Sequence, residues 1–195
     1  MRKPFAIAFV IAAVGLLSIC GFASLVLFWA ASSKTIPLTE SDTQVVVTAA
    51  DLEPYFQDYA STTQHETFEK IRYLDQSVEL NYEYSSPDDN DPYISVSISY
   101  ELTKGDAAGV YLGTWTFQQL GFRAQDQDYA FEELESFYNA GDRSRFANIT
   151  YGGEPVGHLL LIQKANIVYS FLLSGFLIED ASVWRDLFHE RIQNL

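Results

Sequence analysis

Two stretches of the chain alternate apolar and polar residues with the period of a half-buried strand. Residues 77–84 set Val78, Leu80, Tyr82 and Tyr84 against Ser77, Glu79, Asn81 and Glu83. Residues 93–102 set Ile94, Val96, Ile98, Tyr100 and Leu102 against Ser95, Ser97, Ser99 and Glu101. Residues 85–92 (SSPDDNDP) supply turn chemistry between them. Further strands are predicted over 67–74, 144–151, 156–164 and 167–175. HLLLIQ (158–163) and IVYSFLLSGF (167–176) are apolar at nearly every position, as expected of central strands covered on both faces. Helical spacing begins at Asp51, with Leu52, Tyr55, Phe56 and Tyr59 on one face. It recurs over 106–121, between a capping Asp106 and a terminating Gly121, and over 180–193, where Ala181, Trp184, Phe188, Ile192 and Leu195 form a stripe. Residues 45–48 read as a short strand or lead-in, and residues 122–143 as acidic and irregular with a short helix near 131–138. The expected fold class is α+β, in the order α-βββ-α-βββ-α. It is a mainly antiparallel six-stranded sheet with flanking helices, the second half central and the first towards an edge.

Ahead of this pattern lies a different one. From Phe5 to Ala31 no residue is charged, a run of 27, and about 20 apolar residues suffice to cross a bilayer core. Arg2 and Lys3 precede the run, which by the positive-inside tendency places that end in the cytoplasm. The expected organisation is a cytoplasmic stub over 1–4 and a transmembrane signal anchor over 5–31. A polar linker over 32–44 and a single extracytoplasmic domain over 45–195 follow. The expected address is therefore a membrane, with the C-terminal bulk outside the cytoplasm. Leu17-Ser18-Ile19-Cys20 resembles a bacterial lipobox but carries Ile19 where a small residue belongs, and cleavage after residues 30–32 is a further alternative. Intact mass of the membrane-extracted protein separates the three.

Charge sharpens this division. The whole chain of 195 residues carries −14, but beyond Lys34 there are 9 Lys and Arg against 26 Asp and Glu, a balance of −17. Such a domain is a poor partner for nucleic acid, whose binding depends on cationic side chains. Of the 29 aromatic residues, 24 lie beyond Lys34, enough for one packed core. The lone Cys20 excludes an intramolecular disulfide framework and a cysteine zinc cluster.

ISVSISYELTKGDAAGVYLG (94–113) and HLLLIQKANIVYSFLLSGFLIEDASVWRDLF (158–188), in this order of elements, resemble the Mog1/PsbP-like fold group. The resemblance covers most of residues 67–195 and is architectural. It implies a six-stranded antiparallel sheet with helices against it and a non-catalytic binding, assembly or accessory role. Fold analogy alone does not establish function.

No phosphate-binding loop, dinucleotide fingerprint, zinc-protease helix or nucleophile elbow is present, and no cofactor or metal is expected. His158 alternates with Val156, Leu160 and Ile162 and reads as a hydrogen-bonded core or rim residue. His189 reads as helix surface, and His65 as part of a polar loop. Asp88, Asp89, Asn90 and Asp91 offer oxygen ligands without the spacing of a calcium loop and read as a solvated turn. Asn148-Ile149-Thr150 matches a glycosylation sequon by chance. Glu79, Glu83, Ser95, Ser97, Ser99 and Glu101 would share one face of the first sheet half, a candidate contact surface, with the acidic stretch 124–135 a second. The expected function is a membrane-anchored extracytoplasmic binding or accessory module without catalytic activity. The alternatives are a structural subunit of an envelope complex and a hydrolase with a His/carboxylate site. A deep pocket joining a histidine to two polar partners with perturbed pKa values would favour the hydrolase.

Overall fold

A computed structural model of the chain describes residues 33–55, 65–85 and 92–195. Its strands are β1 (Lys34–Thr35), β2 (His65–Arg72), β3 (Val78–Ser85), β4 (Tyr93–Tyr100), β5 (Tyr129–Glu133), β6 (Arg143–Tyr151), β7 (Glu154–Lys164) and β8 (Ile167–Ser174). Its helices are α1 (Glu40–Val45), α2 (Ala49–Leu52), α3 (Lys104–Gln125) and α4 (Ala181–Gln193). The described strands form one antiparallel sheet in the order β1-β2-β3-β4-β8-β7-β6-β5. β2–β4 meander outward from one edge, α3 crosses the sheet, and β5–β8 meander back from the other, so β8 closes against β4.

The alternating pattern sorts the two faces. Leu80, Tyr82, Ile94, Val96 and Ile98 join Phe146, Leu160, Ile162, Tyr169 and Phe171 in a core beneath α4, which contributes Trp184, Leu187, Phe188 and Ile192. Val45, Val46, Val47 and Leu52 complete this core. On the opposite face α3 sets Ala107, Tyr111 and Trp115 on Ala147, Ile149, Leu159, Leu161, Val168 and Leu172. β7 and β8 are thus buried from both sides, which accounts for their unbroken apolar runs.

Several expectations are corrected. The sheet has eight strands among the described residues, not six. β1 adds a two-residue pairing to β2, and β5 replaces the short helix expected near 131–138. Tyr129 and Phe131 of β5 meet Phe122 of α3 at centroid separations of 5.2 and 5.5 Å, and Glu133 pairs with Arg145 at 3.3 Å. These tertiary contacts override the helical tendency of the acidic stretch. α3 is capped by Thr103, whose hydroxyl accepts from the Asp106 N–H, and it runs through Gly121 to Gln125. Val46–Thr48 connect α1 to α2, and Thr48 rather than Asp51 caps α2.

The transmembrane helix expected over 5–31 is not among the described elements. Among the described residues no helix is long and apolar enough to span a bilayer, and the run over 5–31 lies outside them. Residues 34–45, read from the sequence largely as a tether, lie against the domain. Lys34 and Thr35 pair with Arg72 and Ile71, and the Lys70 ammonium donates to both oxygens of Asp42 at 2.7 and 2.8 Å.

Candidate functional site

Among the described elements α3 is the one helix on this side of the sheet, and it covers only part of that face. The helix packs over β5, β7 and β8 and reaches only the margin of β4. Beyond that margin β2, β3 and β4 present Thr67, Glu69 and Ile71, Glu79, Asn81 and Glu83, and Tyr93, Ser95, Ser97 and Ser99. The register aligns them in rows: Thr67–Glu83–Ser95, Glu69–Asn81–Ser97 and Ile71–Glu79–Ser99. None of these positions is Lys or Arg.

Glu79, Glu83, Ser95, Ser97, Ser99 and Glu101 thus occupy one face, as the alternation implies. The Ser97 hydroxyl donates to Glu79 Oε1 at 2.8 Å, and the Tyr73 hydroxyl donates to Glu79 Oε2. Burial, and then the neighbouring Glu79 carboxylate, push the Tyr73 phenol well above its ordinary range. Tyr93 is raised by burial and by Glu83. Glu101 is raised by burial first, then by the negative charges of Asp75, Asp106 and Glu79. Glu79 and Glu83 are therefore held by tyrosine and serine hydroxyls rather than by cations.

Where this open face meets the C-terminal half of α3 there is a cleft of about 400 Å³. Gln118, Phe122 and Gln125 form its helical wall, and Tyr93, Ser95, Tyr129, Leu172 and Ser174 complete it. Of these, Ser95 alone is among the six residues named from sequence, and the others were missed. Their signal was the i, i+4, i+7 spacing of Gln118, Phe122 and Gln125, together with Tyr93 in the same register as Ser95. A volume of this size with aromatic walls and convergent amide and hydroxyl groups suits a small polar ligand or a peptide side chain.

The histidines do not converge on this face. His158 lies on the opposite side of the sheet, 3 % exposed, with both ring nitrogens engaged: Nε2 accepts from the Ile178 N–H at 3.0 Å and Nδ1 bonds Asn148 Oδ1 at 3.0 Å. Burial lowers its pKa to about 4, so it is a neutral core group with no ring nitrogen left to accept a substrate proton. His189 is exposed and bonds Gln193, and His65 opens the exposed end of β2. No group of three or more His, Cys, Asp or Glu among the described residues is arranged to hold a metal ion. The turn carrying Asp88, Asp89, Asn90 and Asp91 lies outside them. Of the second surface, Phe131 is packed under α3, which leaves Glu132 and Glu135 outward.

Comparisons with protein-family models, with curated proteins and with solved structures give no match.

Proposed function

We propose that the chain is a binding or accessory module that recognises its partner through the open half of the sheet and the adjoining cleft. The carrying observation is the incomplete cover of one sheet face by α3. That leaves aligned carboxylate, hydroxyl and amide groups facing outward from a rigid antiparallel scaffold. Sites on strands hold their geometry better than sites on loops, so such a face is suited to selective contact without chemistry. The uncharged run over 5–31 and the basic residues before it support a position at a membrane, outside the cytoplasm.

The experiment is affinity purification of the full chain from gently solubilised membranes, beside Glu83→Arg and Gln118→Ala. A stoichiometric partner retained by the parent and lost with Glu83→Arg supports the reading. Equal retention by both variants, with unchanged thermal unfolding, overturns it. Protease accessibility in intact cells tests the address: a C-terminal tag that only permeabilisation exposes to protease would sink the extracytoplasmic placement.

A further inference from the structure

The side of the sheet away from α3 contains a second, smaller hollow, at the end where β6 and β7 meet the segment leading into α4. It measures about 130 Å³ and opens to solvent. Leu134, Phe137, Pro155 and Leu177 form its walls, Glu179 stands at its border, and Asn148 and His158 supply its polar groups. An apolar cavity of about 150 Å³ is large enough to hold benzene, so this hollow admits one branched aliphatic or phenyl-sized group and little more.

The hydrogen bonds decide what the polar groups offer. Because His158 Nε2 accepts the Ile178 N–H, the ring proton resides on Nδ1, which donates to Asn148 Oδ1. The imidazole stands between Phe146 and Trp184 at 5.4 and 5.2 Å, which fixes its plane. The Asn148 carboxamide is thereby held with its oxygen turned to the histidine. Its Nδ2 group has no acceptor among the described residues while the side chain borders the hollow. A positioned donor beside an apolar hollow, with a carboxylate at the border and no cation among the lining residues, selects for a neutral acceptor and against an anion.

We infer that this hollow binds a neutral apolar group of leucine or phenyl size that carries an amide carbonyl, the carbonyl accepting from Asn148 Nδ2. A free carboxamide and an apolar residue of a peptide, with its backbone carbonyl, share this chemistry. The site is separate from the open polar face, since it lies on the other side of the sheet.

The test uses isovaleramide, N-acetyl-leucine amide and isovalerate as probes, read by ¹H–¹⁵N chemical shifts of the Asn148 side-chain amide and the Ile178 backbone amide. Saturable shifts with either amide, and binding of isovalerate about tenfold weaker or more, support the site. The tighter of the two amides identifies the source as free ligand or peptide. Asn148→Asp keeps an acceptor for His158 and removes the donor, so amide binding weakens about three- to tenfold, the worth of one neutral hydrogen bond. Leu134→Trp fills the hollow from its wall without touching the His158–Asn148 pair, and abolishes the shifts. Absence of saturable shifts with both amides, or unchanged binding by Leu134→Trp, overturns the inference.

Discussion

His158 shows how a single buried residue ties pH to stability. Burial lowers its folded pKa to about 4, while an unfolded chain titrates near the ordinary value of 6.5. Between those values the unfolded state binds the extra proton, so stability falls as the pH drops from about 6.5 to about 4, by roughly 1 kcal/mol per pH unit. The groups facing the ring are Phe146, Trp184, Asn148 and the Ile178 amide, and the nearest carboxylate in its hollow is Glu179. Urea unfolding at pH 7, 5.5 and 4.5 should therefore show a steeper pH dependence for the parent than for His158→Gln, and equal slopes would refute the assignment. Asp42, Asp142 and Asp180, whose folded pKa values are held below the usual carboxylate range, act below this window. The burial of His158 was legible in its alternation with Leu160 and Ile162. Its partner was not, because Asn148 lies ten residues away across a strand pairing that one sequence does not specify. Val156 does not share that face. The register shifts between Ile149 and Thr150, and Val156 packs on the α3 side instead.

At the scale of elements, α3 divides sharply into a face that packs and a face that does not. Trp115 is buried against the sheet under the Arg145 guanidinium, whose carbon stands 4.9 Å from the ring centroid, while Phe117 is 73 % exposed. Trp115→Ala should therefore cost about 3–5 kcal/mol, and Phe117→Ser less than about 0.5 kcal/mol, both read from denaturant midpoints. Comparable losses would mean that the outer face of α3 is covered in solution. β7 has an equally firm requirement at Gly157, where a Cβ would come within 2.2 Å of the Leu173 carbonyl oxygen in β8. Gly157→Ala should destabilise by at least about 2 kcal/mol, because backbone on a paired central strand cannot yield as a side chain does. β3 and β4 were legible because their alternation has a period of 2 that no helix tolerates, and β7 and β8 because their short apolar runs suit strands covered on both faces. β5 was not, since Tyr129 and Phe131 give it only two large apolar side chains, and a strand that short is decided by what covers it. Here that cover is Phe122 and Trp115 of α3. The start of α3 was misplaced by three residues because Thr103 and Asp106 form one capping arrangement, in which either residue alone resembles the cap.

For the whole molecule, the open polar face depends on a core closed from the opposite side by residues that the sequence marked only as a short strand or lead-in, fastened through a helix lying mostly in the expected tether. Val45, Val46 and Val47 are 6 %, 1 % and 0 % exposed in the core under α4. Polar contacts hold them there at several points. The Tyr169 hydroxyl accepts from the Val47 N–H at 3.2 Å, and Arg191 donates to the Val46 carbonyl at 3.2 Å and to Asp51 at 2.6 Å. Lys70 and Asp42 fasten the preceding helix to β2. Alternation could not reveal this strap, because VVV reads equally as strand or loop and its partners lie more than a hundred residues downstream. Its energetic weight is large. Each fully buried valine is worth about 1.5 kcal/mol or more, so three together approach 5 kcal/mol, against a total of about 5–15 kcal/mol for an ordinary domain. A chain beginning at Ser33 should unfold in one cooperative transition, with a sharp calorimetric peak. A chain beginning at Ala49 lacks the strap, leaves Tyr169 without the Val47 N–H and Arg191 without the Val46 carbonyl, and exposes the floor beneath β4 and β8. It should lose that sharp transition and bind a hydrophobic dye. If the shorter chain instead unfolds as cooperatively and at the same temperature, the strap is an ornament of the surface. The rigidity of the open face would then have to come from α3 and α4 alone.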